Sequence, residues 1–163
     1  MIYQRKDKEK MTEQIFDADL KKAAAGNILD SLTEWFEVEE SRKKYIEESA
    51  GQVFIAAKRD GRYAGFLCLK ETGNATAEIA VMGVLKEYHR SGIGRALFEA
   101  AKTAAKDAGY SFLQVKTVKA GVYEDYDKTN LFYISCGFRE FEVIDSLWGE
   151  ENPCQVYVMY IGG

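Results

Sequence analysis

Histidine and cysteine are scarce in this chain, and their scarcity excludes chemistry. His89 is the one histidine, and the three cysteines, Cys68, Cys136 and Cys154, are widely spaced with no C-x-x-C pair. A metal site has no ligand cluster to start from, and an odd thiol count makes no disulfide framework. The cysteines therefore read as reduced thiols in packing roles, and no metal is expected. No apolar run is long enough to span a membrane, and the charged stretch Met1 to Lys10 lacks the apolar core of a signal peptide or anchor. A cytoplasmic location without a membrane partner is the expectation. Positive charge is lacking too: the net charge is -4, whereas sequence-independent nucleic-acid affinity rests on Lys and Arg clustered over a broad face. No nucleic-acid partner is expected, and a neutral or cationic one fits better. With a single proline and no repeat, low-complexity tract or linker, 163 residues at 47% hydrophobic and 29% charged suit one domain over residues 1–163 with one substantial core.

What the chain does have is concentrated between Ala77 and Leu97. Ala77 to Leu85 is apolar except for Glu78, as expected for a strand covered on both faces. From Ile93 to Ala108 an apolar stripe of Ile93, Leu97, Ala100, Ala101, Ala104 and Ala108 predicts a helix that Gly109 ends. Between them lies Tyr88-His89-Arg90-Ser91-Gly92-Ile93-Gly94-Arg95. Two glycines allow close backbone approach, the first helical turn offers unpaired N–H groups, and Arg90, Arg95 and Lys86 add positive charge, so an anion is the natural guest. A Walker A loop would end in Gly-Lys-Ser/Thr, which is absent. The dinucleotide fingerprint fails at Leu97, where a third small residue belongs.

Around this stretch the pattern predicts a strand at Glu13 to Phe16 and a short helix from Leu20 to Ala25, ended by Gly26-Asn27. Further helical spacing follows from Ile28 to Phe36, then a mixed-charge segment from Glu39 to Glu48. Val53 to Lys58 and Tyr63 to Lys70 read as strands around an Arg59-Asp60-Gly61-Arg62 hairpin, and Gly73-Asn74 makes another turn. Ser111 to Val118 returns as a strand through a βαβ crossover. A polar loop from Lys119 to Lys128 leads to a short helix starting near Thr129, and Phe138 to Ile144 and Gln155 to Ile161 close the fold as strands. Trp35-Phe36 cannot both face one core, so one of them is a candidate cavity residue.

The loop resembles motif A of the GNAT superfamily of N-acetyltransferases, whose pattern is Gln or Arg, two residues, Gly, one residue, Gly or Ala. Gly92 and Gly94 match it, and His89 departs from it at the first position. Phe132-Tyr133-Ile134-Ser135-Cys136-Gly137-Phe138 is similar to motif B of the same superfamily, Phe-Tyr-x-x-x-Gly-Phe, at the expected distance. The resemblance runs from about Val53 to Ile161. It implies an α/β fold: a mixed, mostly antiparallel sheet flanked by helices, splayed between the Ala77 to Leu85 strand and the following parallel strand, so that pantetheine enters the gap. It implies acetyl-CoA as co-substrate, held at Met82, Val84, His89, Arg90, Ser91, Gly92, Ile93, Gly94, Arg95, Ala96 and Asn130, and transfer of its acetyl group to a primary amine in a ternary complex. The acceptor is a small molecule or a peptide, and a homodimer is compatible.

Acetyl transfer needs a neutral nitrogen, a polarised thioester carbonyl and a proton for the leaving thiolate. Glu78, alone in its apolar strand, is the candidate base: burial would raise its pKa, although pairing with a neighbouring Lys or Arg is the structural alternative. It also matches the Ala-Glu-Ile glutamate that some GNAT members use. Backbone N–H groups from Met82 to Val84 are candidates for the carbonyl oxygen, with Gly83 permitting close approach or a bulge. Tyr133, placed near the start of the short helix, is the candidate acid. Bulky Met82 and Phe132 favour acetyl over longer acyl groups. The alternative is an acyl-CoA-binding sensor or interaction module on the same fold, without turnover.

Overall fold

The computed structural model describes residues 11–162. Met1 to Lys10, read from sequence as a charged leader, lies outside the described residues. The chain turns back at Asp60-Gly61, joining β2 (Val53–Arg59) to β3 (Arg62–Gly73), and again before β4 (Thr76–Val84). β1 (Thr12–Ile15) pairs with β2, so an antiparallel meander leads up to the central strand. After β4 come a short 3-10 turn (Lys86–Tyr88) and α3 (Ile93–Asp107), whose return strand β5 (Phe112–Val118) pairs parallel with β4. Then α4 (Glu124–Ser135), β6 (Arg139–Ile144) and β7 (Cys154–Tyr160) complete one seven-stranded sheet in the order β1-β2-β3-β4-β5-β7-β6. Every pairing except β4 with β5 is antiparallel, which is the mixed, mostly antiparallel architecture expected.

Strand alternation divides the core in two. On one face Leu67, Leu69, Ala77, Ile79, Leu113 and Val115 pack with Ile93, Leu97, Phe98 and Ala101 of α3 and with Tyr133 of α4. On the other, Phe54, Phe66, Cys68 and Val81 pack with Ala24, Ala25, Ile28 and Leu29 of α1 (Ala18–Leu29). A side chain within β4 therefore points to one helical layer or to the other.

Two helix boundaries differ from the sequence reading, and the helical spacing read from Ile28 to Phe36 makes no second helix, its first two residues ending α1 and the rest forming turns. α1 does not stop at Gly26-Asn27 but runs through them to Leu29, because Ile28 and Leu29 are completely buried against the sheet. Burial of two large side chains outweighs the roughly 1 kcal/mol that a mid-helix glycine costs. α4 begins at Glu124, a full turn before Thr129, since Glu124, Asp125 and Asp127 suit the positive end of the helix dipole. The mixed-charge segment is α2 (Glu39–Ser49), stapled by Lys43–Glu39 and Lys44–Glu48 pairs one turn apart.

Candidate active site

The pairing of β4 with β5 runs only from Thr76↔Phe112 to Ile79↔Val115, and beyond it the two strands part. On the β3 side the register slips at the same level: Cys68 faces Val81 and Leu69 faces Ile79, so Ala80 is an extra residue bulged out of the ladder. Of the two roles expected for Gly83, close approach or a bulge, the bulge falls at Ala80 and Gly83 allows close packing, since a Cβ there would lie 3.1–3.3 Å from Ile28, Leu32 and Phe66. Leu85 N–H donates to Ala64 O across the β3 ladder. Because neighbouring strand residues turn their backbone groups to opposite edges, those of Met82 and Val84 face the gap. Half-buried Met82 and Phe132 line its floor beneath Gly94.

At the mouth of the gap stands the glycine loop. Arg90 (φ 61°) and Gly92 (φ 86°) both adopt left-handed backbone, which curls the loop and aims successive N–H groups one way. The backbone N–H groups of residues 90–95 donate to no other described residue. Three of the candidate cofactor residues, Ala96, His89 and Asn130, are differently employed. Ala96 N–H closes the first helical bond to Gly92 O at 3.0 Å, and His89 N–H donates to Lys86 O at 3.1 Å. The His89 ring instead braces the site, with Nε2 2.7 Å from Val84 O and its edge against the Trp35 ring at 5.6 Å. Ser91 Oγ donates to Tyr88 O. Lys86 is taken by Glu34 and lies over the Trp35 ring, so the available cations are Arg90 and Arg95, the latter within reach of Ser135 O and Oγ at 3.2 Å. The α1–α2 loop carrying Trp35 is further tied down by Tyr126, which donates to Trp35 O at 2.8 Å. The aromatic pair does not divide as expected: Trp35 and Phe36 both pack, half-buried, against the α1-side core, Phe36 on Tyr45.

Asn130 is 2% exposed and spends its amide internally: Nδ2 donates to Val118 O and Tyr126 O, and Oδ1 accepts from Tyr157 at 2.5 Å. It locks α4 to β5 and β7 beside the gap.

Glu78 and Tyr133 lie on opposite faces of the sheet, Glu78 in the last paired stretch of β4 before the strands part. Tyr133 lies in the last turn of α4, not near its start, packed among Phe132, Phe138 and Tyr157. Burial pushes its hydroxyl well above the ordinary phenol range, so it is a protonated donor, and it forms no hydrogen bond with another described residue. Glu78 points to the α2 side. It is 5% exposed, with Oε1 accepting from Lys116 Nζ at 2.8 Å, Lys70 Nζ 3.4 Å from Oε2, and no hydrogen bond to Oε2. Sequence reasoning named Glu78 but could not name its partners. Lys70 faces it across the antiparallel ladder and Lys116 sits diagonally across the parallel one, and register is what brings them there. Burial also raises the thiol of Cys136, leaving it protonated and without an adjacent base, in keeping with a packing role.

The sheet thus opens between its parallel strands, with a loop of unbonded backbone N–H groups at the head of the crossover helix. The sequence profile described as the Acetyltransferase (GNAT) family matches residues 23–138, and the chain belongs to that family. It is an acyltransferase. Solved structures agree on the fold. A GNAT-family acetyltransferase from Desulfovibrio desulfuricans superposes with a TM-score of 0.82 at 17% identity, covering 93% of this chain and 98% of that one. An aminoglycoside 6'-N-acetyltransferase complexed with coenzyme A gives 0.76 at 18% identity, with 93% and 97% covered. The ribosomal-protein-S18-alanine N-acetyltransferase of Escherichia coli gives 0.72 at 18% identity, with 94% and 96% covered. No curated protein sequence matches the chain.

Proposed function

We propose that the protein transfers the acetyl group of acetyl-CoA to a primary amine by direct attack within a ternary complex. The observation that carries this reading is the run of undonated N–H groups at residues 90–95, set at the head of α3 beside the parted strands. Such groups suit a pyrophosphate, with Arg90 and Arg95 completing the neutralisation. The structural neighbour solved with coenzyme A has the same fold and supports the choice of ligand.

Pantetheine then runs down the gap along Met82 and Val84, where the Met82 backbone edge and the Val84 N–H can take its amides and the thioester oxygen, Val84 O being held by His89. The amine enters from the α2 face, where Glu78 receives its proton directly or through a water at the unbonded Oε2. The nitrogen attacks the thioester carbon, the C–S bond breaks, and the Tyr133 hydroxyl donates a hydrogen bond to the departing thiolate. Its raised pKa makes complete proton transfer uphill, so the phenol serves as a hydrogen-bond donor first and a proton source second. No covalent enzyme intermediate is required. The α1–α2 segment, with Trp35, and the loop containing Trp148 set the acceptor.

The test is calorimetry with acetyl-CoA, followed by thiol release against a panel of peptides, polyamines, amino acids and aminoglycosides. Binding together with release on at least one amine is expected. Binding with no release on any amine would leave a thioester-binding module, and no binding would overturn the reading.

A further inference from the structure

We propose that Lys116 is an acetylation site of the protein itself, modified by its own bound acetyl thioester when no acceptor amine is present. This rests on the acetyl-CoA reading above. Val115 is the last residue of β5 paired with β4, and Lys116 is the next, on the strand that forms the far wall of the gap at the level where it opens. Its Nζ lies 2.8 Å from Glu78 Oε1, so the side chain already occupies the place of an amine beside the base. Val156 is its neighbour on β7 and is buried, which gives the lysine stem an apolar surface to lie on. Lys70 is the rival. It stands 3.4 Å from the other oxygen, is 46% exposed against 27% for Lys116, and comes from β3, on the side of β4 away from the gap.

The chemistry is the same transfer with an internal acceptor. The Lys116 ammonium gives a proton to Glu78, the freed lone pair attacks the thioester carbon, and the C–S bond breaks as the C–N bond forms. The second proton leaves the nitrogen as the amide forms and makes good the one the site gives to the thiolate, while the third stays on the amide nitrogen, so one ammonium and one acetyl thioester become one acetamide, one thiol and one released proton. The product is self-limiting. An acetylated Lys116 carries no charge for Glu78 Oε1, and its acetyl group fills the space an acceptor amine would enter.

The experiment incubates the full chain with acetyl-CoA and no amine, follows intact mass, and maps the modified peptide, with acetyl-CoA binding measured separately by calorimetry. Lys116 should acetylate about tenfold faster or more than the exposed Lys43 and Lys44, because proximity makes its reaction unimolecular, and the rate should not depend on protein concentration. Glu78→Gln should slow modification of Lys116 but not of Lys43 or Lys44, and Lys116→Arg should remove it. Tight acetyl-CoA binding with Lys116 modified no faster than the surface lysines would overturn this proposal while leaving the cofactor reading intact. Failure to bind acetyl-CoA would overturn both. The wild-type comparison of lysines stands even if a variant does not fold.

Discussion

Glu78 is asked to take a proton while it is paired with two lysines, and Tyr133 to give one while it is buried among aromatics; each can be tested by a near-isosteric change. Glu78→Gln keeps the shape and removes the basic oxygen. Turnover should fall by about 10²-fold near neutral pH and partly recover in alkali, where the amine loses its proton unaided. An equal loss at every pH in a steady-state profile would assign Glu78 to structure or binding. Tyr133→Phe keeps the ring, which packs on Phe138 and Tyr157. If the hydroxyl assists thiolate departure, kcat should drop by about 10²-fold while acetyl-CoA affinity and melting temperature scarcely change. Near-normal kcat would make Tyr133 a packing residue. Both residues were visible in the sequence, Glu78 as a lone carboxylate in an apolar strand and Tyr133 through the aromatic segment before Gly137-Phe138. Lys70 and Lys116 were not, because nothing in one sequence says which residues face each other across a sheet.

Among the elements, α3 was the most legible, since its apolar stripe and Gly109 stop are local signals and the helix runs from Ile93 to Asp107. α1 and α4 were misread for a common reason: glycine in one, and polar residues in the other, are local cues that tertiary burial and the helix dipole overrode. The bulge at Ala80 left no sequence signal, as alanine fits either side of a register slip. At the head of α3 the added atoms of a larger Gly94 would meet Met82 Cε and Phe132 at 3.4 Å, an ordinary contact. The fold therefore tolerates a Cβ at this position, whereas the extra methyls of valine crowd the cofactor's path. Gly94→Val should weaken acetyl-CoA binding about tenfold or more with a small change in melting temperature. Unchanged affinity by calorimetry would place the ligand elsewhere.

At the scale of the whole molecule, buried protonated acids set an alkaline limit. Burial holds the Cys68 thiol up to about 12 and raises the hydroxyls of Tyr133, Tyr45 and Tyr126. The unfolded chain releases these protons nearer their ordinary values while the folded one retains them, so unfolding is favoured as pH climbs. The stability these groups lend is complete below about pH 8 and is lost progressively above about pH 9, and calorimetric melting temperatures should fall across that range. Tyr133→Phe should shallow the decline. The parted strands β4 and β5 carry a mechanical consequence as well. One half of the sheet is hinged to the other by the short stretch from Thr76 to Ile79, like two boards joined along part of a spine. A thioester arm laid along Met82 and Val84 would supply the rungs missing from the rest of the spine. Amide hydrogen exchange should then slow on both boards when acetyl-CoA binds, at Thr117 and Val118 as much as at Met82 and Val84, and protection confined to the glycine loop would show that the hinge does not stiffen.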